Sequence, residues 1–221
     1  MNRYFLFGEM HGTKECPKEF FKFVKKNKIK KVALELPKDY QCEIDEFYSG
    51  KRKIDDLSFF KCKEKNHDGR VSNAMKDLIL KLKKAKIKIF LVDDETQEYG
   101  NERDKLMARN LSQLKGEVAF LCGNVHAMKK PLQLDKSDRC YHQYPNGKVE
   151  TCGSFMNPKE IVSIKVHAIN GGKLYNYSVQ TYLKDKERSK KFPKNKLPEM
   201  IKSDDESFDY LYLIDKFSYS K

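Results

Sequence analysis

Apolar and polar positions along the first two thirds of the chain follow two alternating textures. Residues 3–9, RYFLFGE, form a short β-rich run that ends on Gly8-Glu9. Pro17 opens PKEFFKFVKKN, in which Phe20, Phe21 and Val24 share one helical face. Proline suits a first helical turn, where its missing N–H is not needed. KVALEL (31–36) is apolar on both faces and is stopped by Pro37. Such a run predicts a buried parallel strand. Residues 40–60 are mixed, with short helices. Ser72 then serves as a helix cap, and Val71, Ala74, Met75, Leu78, Ile79 and Leu82 recur at helical spacing. IKIFLVD (87–93) predicts a third strand. Residues 102–114 predict a helix with Leu106, Met107, Asn110, Leu111 and Leu114 on one side, and EVAFLCG (117–123) a fourth strand.

This alternation predicts a three-layer α/β fold: a mostly parallel central sheet with helices on both faces. After Pro131 the texture changes. IVSIKVHA (161–168) reads as a strand, Asn170-Gly171-Gly172 as a turn, and 174–182 as a segment that pairs back in a hairpin. DYLYLI (209–214) predicts a last strand. KDKERSKKFPKNK (184–196) has almost no core-forming residue and reads as a solvated, Lys-rich loop. The length suits one domain over residues 1–221, a core to residue 130 followed by a β-rich extension over 131–221.

Charge and cysteine content narrow the partners. The net charge is +13, yet only seven of the 45 basic residues are arginine: Arg3, Arg52, Arg70, Arg103, Arg109, Arg139 and Arg188. Lysine lacks the planar fork that reads phosphate and guanine bidentately, so no specific nucleic-acid partner is expected. No apolar run approaches the roughly 20 residues of a spanning helix, so no membrane partner is expected. The chain enters a core strand almost at once, without a leader pattern, which predicts a cytoplasmic protein. Its six cysteines, Cys16, Cys42, Cys62, Cys122, Cys140 and Cys152, include no C-x-x-C pair and are expected as free thiols.

Chemistry-bearing residues gather at strand ends. Glu9 and His11 close the first strand, Glu35 the second, Asp93 and Asp94 the third, and Gly123, Asn124 and His126 the fourth. In a parallel sheet these ends share one edge, where open α/β sheets bind ligands. Glu9 and His11, two apart, point the same way while the chain stays extended. A carboxylate beside an imidazole sets its tautomer or raises its basicity. Two histidines with Glu35 are also a donor set for a divalent metal ion, with His11, His126 and Glu35 as ligands. Asp93 and Asp94 read equally as caps of the following segment. His67 and His142 lie in polar loops, and His167 sits inside a strand as a structural residue.

The strings GEMHGTKE, KVALELP, RDKLMARNL and GNVHA, in this order, resemble the erythromycin esterase / ChaN / TIKI superfamily, and DGRVSNAM (68–75) resembles a stretch found in relatives. The resemblance spans residues 4–128. It implies a catalytic site of Glu9, His11, Glu35, Arg103 and His126, with Arg70, Asp94 and Asn110 as ligand-binding positions. Arg103 also reads as a member of a surface ion pair with Asp104 or Glu102.

These readings together predict a hydrolase of an ester, lactone or amide bond in a small-molecule or peptide substrate. His11, oriented by Glu9, would be the general base, and His126 with Arg103 would stabilise the oxyanion. The alternative is a binding protein, for haem or another small ligand, using the same cleft without turnover.

Overall fold

The computed structural model describes residues 2–61, 69–94, 100–138 and 140–220. Cys62, His67, Asp68 and Arg139 lie outside them. In chain order the elements are β1 (Arg3–Glu9), α1 (Glu15–Lys26), β2 (Lys31–Pro37), α2 (Gln41–Ser49), α3 (Ser58–Lys61), α4 (Asn73–Lys84), β3 (Lys88–Asp93), α5 (Asn101–Ser112) and β4 (Glu117–Gly123). They continue with β5 (Leu132–Gln133), β6 (Lys148–Val149), α6 (Cys152–Phe155), β7 (Ile161–Ala168), β8 (Gly172–Asn176), β9 (Ser178–Tyr182), α7 (Lys186–Lys191), β10 (Glu199–Lys202) and β11 (Tyr210–Ile214).

Seven strands form one sheet in the order β10-β11-β7-β1-β4-β2-β3. Every pairing is parallel except β10 with β11. Alternate residues of each central strand feed opposite layers. Phe5 and Phe7 of β1 and Ala119 and Leu121 of β4 pack with Phe20 of α1 and Leu78 of α4. Tyr4, Leu6, Val118 and Phe120 pack with Met107 and Leu111 of α5 on the other face. The chain crosses from β1 toward the β3 edge and returns through β4 toward the β10 edge. Right-handed crossovers in opposite directions put helices on opposite faces.

Local signals explain the boundaries. The Ser72 hydroxyl accepts from the Met75 N–H at 3.3 Å and caps α4. α1 and α4 end in the same way. Lys28 N–H donates to Lys25 O and Ile29 N–H to Val24 O; Lys86 N–H donates to Lys83 O and Ile87 N–H to Leu82 O. These are paired Schellman closures, with Ile29 and Ile87 buried beneath them. The turning residues, Lys28 at φ 56° and Lys86 at φ 54°, are in the left-handed region that glycine favours. A non-glycine residue there costs roughly 1–2 kcal/mol.

The C-terminal extension departs from the predicted hairpin. β7 enters the centre of the sheet, parallel to β1 on one side and to β11 on the other. Both its edges are occupied, so 174–182 cannot pair back on it. β8 and β9 form their own antiparallel ribbon, turning at Tyr177 with φ 57°. Cys16, Cys42, Cys122, Cys140 and Cys152 carry free thiols. Among the described residues no helix is long and apolar enough to cross a membrane.

Candidate active site

The C-terminal ends of β1, β4, β2 and β3 bring four carboxylates, two imidazoles and two guanidiniums together. Glu35 lies at the centre and is buried, with 4% of its surface exposed. Its Oε2 accepts the Gly123 N–H at 2.7 Å, and its Oε1 accepts Arg103 Nη2 at 2.8 Å. His11 Nε2 lies 3.6 Å from Oε2, and His126 Nε2 lies 3.4 Å from Oε1. Each imidazole is fixed at its other nitrogen. His11 Nδ1 donates to Glu9 at 2.9 Å, and His126 Nδ1 donates to Asp104 at 2.7 Å. Two carboxylate–histidine dyads therefore face one carboxylate from opposite sides.

Gly123 makes this convergence possible. A Cβ added there would lie 2.9 Å from His11 Nε2 and 3.4 Å from His126 Cδ2. The missing side chain is the space that the two rings occupy.

Beneath them, fully buried Asp93 organises the guanidiniums. It accepts Arg103 Nε at 2.9 Å, Arg103 Nη2 at 2.7 Å and Arg70 Nη1 at 2.8 Å. Arg103 Nη1 faces His126 Nε2 at 3.5 Å. The extension contributes too: the Cys152 N–H donates to Asp104 at 2.6 Å, and the Gly153 N–H to His126 O at 2.9 Å.

Glu9, His11, Glu35, Arg103 and His126 thus form one cluster, with Arg70 beside them. Asp94 is buried at its margin and ion-paired with Lys38. Asn110 is turned elsewhere: its amide donates to Val92 O at 3.0 Å, tying α5 to β3. Asp104 is not the surface partner of Arg103; it is buried and holds His126. Asp93 and Asp104 are the members that sequence reasoning did not assign to the site. Their signals were an acid closing the apolar run IFLVD and an acid one residue past Arg103.

The structure lends no support to the expected divalent ion on His11, His126 and Glu35. Among the described residues no group of three or more His, Cys, Asp or Glu side chains is arranged to hold a metal. Both Glu35 oxygens already accept protein hydrogen bonds, and two guanidiniums neutralise the floor. The thiols of Cys122 and Cys152 offer no nucleophile. Burial, then the charge of Glu35 on Cys122 and of Asp104 on Cys152, pushes both well above the ordinary thiol range.

Two groups set the pH response of the site. Burial opposes the charge of Glu35, but the His126 and His11 imidazoles and the Arg103 and Arg70 guanidiniums overcome it and hold its carboxyl well below 4.5. Its contribution to stability is complete above pH 4.5 and is lost as pH falls through the lowered value. Burial also opposes the charge of His126, but Glu35 and Asp104 overcome it and hold the imidazole above 6.5. That contribution is complete below pH 6.5 and is lost as pH rises through the raised value. Chemical denaturation across pH is expected to give greatest stability between these values, with a decline on each side. Glu35→Gln is expected to flatten the acid side.

No protein-family model matches the chain, and no curated protein matches it in sequence. Solved structures do share the fold. An erythromycin esterase, EreC, in its open conformation aligns with 100% of this chain and 92% of its own, with TM-score 0.66 at 9% identity. A succinoglycan biosynthesis protein aligns over 99% and 89%, with TM-score 0.60 at 13% identity. ChaN of Campylobacter jejuni, described with cofacial haem, aligns over 99% and 87%, with TM-score 0.52 at 12% identity. The chain therefore has the fold common to an erythromycin esterase and ChaN, the fold that the ordered strings of its first 128 residues implied.

Proposed function

We propose that the cleft hydrolyses an ester, lactone or amide bond of a small-molecule or peptide substrate. The observation that carries this reading is the pair of dyads, Glu9–His11 and Asp104–His126, set against Glu35. With Nδ1–H held by Glu9, His11 keeps the lone pair on Nε2 and takes a proton from water. The resulting hydroxide adds to the carbonyl carbon, and the π pair moves to oxygen. His126, favoured in its charged form, and Arg103 stabilise that oxyanion. Collapse breaks the C–O or C–N bond, and His11 returns its proton to the leaving atom. Glu35 holds the two rings in register, and Asp93 holds Arg103.

The esterase that shares the fold supports this reading, and the haem-binding neighbour supports binding without turnover as the second. A panel of aryl esters, lactones and amides, assayed beside a haem titration, separates the two. Turnover of at least one class is expected, with no saturable Soret shift. A one-to-one Soret shift without turnover would reverse the order, provided that His11→Ala or His126→Ala abolished it.

A further inference from the structure

The end of the molecule opposite the cleft has its own chemistry. Residues 18–31 carry seven lysines and one acid, and residues 81–88 carry five lysines and no acid. The fold places these segments side by side. α1 packs against α4, and β2 pairs in parallel with β3 so that Lys31 lies opposite Lys88. The C-terminal ends of both helices and the first residues of both strands thus form one basic pole. Lys22 pairs with Glu19, Lys31 donates to Lys115 O, and Lys83 lies over the Phe47 ring. Lys18, Lys25, Lys28, Lys81, Lys84 and Lys86 have no carboxylate partner among the described residues.

Three features say what covers this pole. The first is an apolar slot in the helix seam, a hollow of ≈ 480 Å³ with Phe21 and Ala85 between lysines of both helices. Lysine stems can lie along apolar matter while the ammonium groups reach an anion. The second is the absence of arginine from both segments. Phosphodiester recognition in nucleic acids favours the planar fork and exposed stacking rings, and here Phe21 is part of the slot. The third is backbone cost. Lys28 and Lys86 occupy the two left-handed turning positions where glycine would be easier. Attraction to the helix C-termini accounts for a lysine in the last turn, but not for one in the strained position beyond it. A side chain kept at the expense of stability points to a use for its charge.

We infer that this pole docks on an anionic phospholipid surface. Clusters of four to eight basic residues on an amphipathic helix bind such surfaces electrostatically. Docking there turns the cleft, at the far end of the strands, toward solution. The expectation of no membrane partner rested on the lack of a spanning segment, and peripheral docking needs none.

The test is flotation of the purified protein with vesicles of phosphatidylcholine alone and of phosphatidylcholine with one quarter phosphatidylserine, at physiological salt. Binding is expected only to the second. Lys28→Gly with Lys86→Gly is expected to melt at the same or a higher temperature and yet bind several-fold more weakly. Lys25→Glu with Lys84→Glu is expected to lose at least about tenfold in partitioning. Lys190→Glu with Lys196→Glu, the same change of charge in α7 and the turn after it, is expected to retain binding. The inference is overturned by no binding, by equal binding to neutral vesicles, or by an equal loss in this last variant. Duplex RNA or DNA bound more tightly than vesicles at the same salt would also overturn it.

Discussion

His11→Ala is expected to lower kcat/KM for hydrolysis by about 10²–10⁴-fold, the usual contribution of a positioned general base. The melting temperature should change little. The ring is partly open to solvent, with 17% of its side chain exposed. The lost bond to Glu9 leaves that carboxylate next to the space the ring vacates, where water can enter. Steady-state kinetics and a thermal melt on the same preparation check both halves. An unchanged rate would remove His11 from the chemistry. Loss of rate with loss of fold would make its role structural.

Arg103→Ala should lower stability as well as rate. It deletes three hydrogen bonds, two to Asp93 and one to Glu35. Two buried carboxylates then share Arg70, which lies 2.8 Å from Asp93 and 3.6 Å from Glu35. Removing one partner of a buried ion pair costs about 3–5 kcal/mol, because the other charge stays buried. For a chain of this size the melting temperature should fall on the order of 10 °C. Arg103→Lys should lose less, since it keeps the charge but not the fork that grips Asp93 at two atoms. Glu35 accepts the Gly123 N–H and Arg103, so its removal leaves buried donors without partners.

The readable parts of this chain are those governed by local periodicity. β1, β2, β3 and β4 are unbroken apolar runs, and their parallel alignment follows from the helices between them. Once the strands are parallel, Glu9, His11, Glu35 and His126 must share an edge, so the cleft was legible without coordinates. Asp104 was not legible. Adjacent residues on a helix point in different directions, so Arg103 reaches the sheet floor while Asp104 reaches His126. Sequence adjacency suggested an ion pair that helix geometry forbids. The two guanidiniums of the floor were not legible either. His and Glu at strand ends look alike whether a metal ion or a guanidinium balances them, and Arg70 and Arg103 come from elements whose approach no spacing reveals. The place of β7 depended on β11, more than 40 residues later, and local turn chemistry at Asn170-Gly171-Gly172 carries no record of it.

The account's central claim is that the two imidazoles work as a pair, His11 neutral as base and His126 charged as oxyanion partner. The direct measurement is kcat/KM against pH for the best substrate of the panel, in the wild type and in His126→Gln. A bell is expected for the wild type. Its acid limb reports the base, and its alkaline limb lies above 6.5, where raised His126 loses its proton. The variant should be slower and should keep the acid limb but not the alkaline one. A wild-type rate that climbs with hydroxide concentration alone, or a variant whose alkaline limb persists, would contradict the paired mechanism.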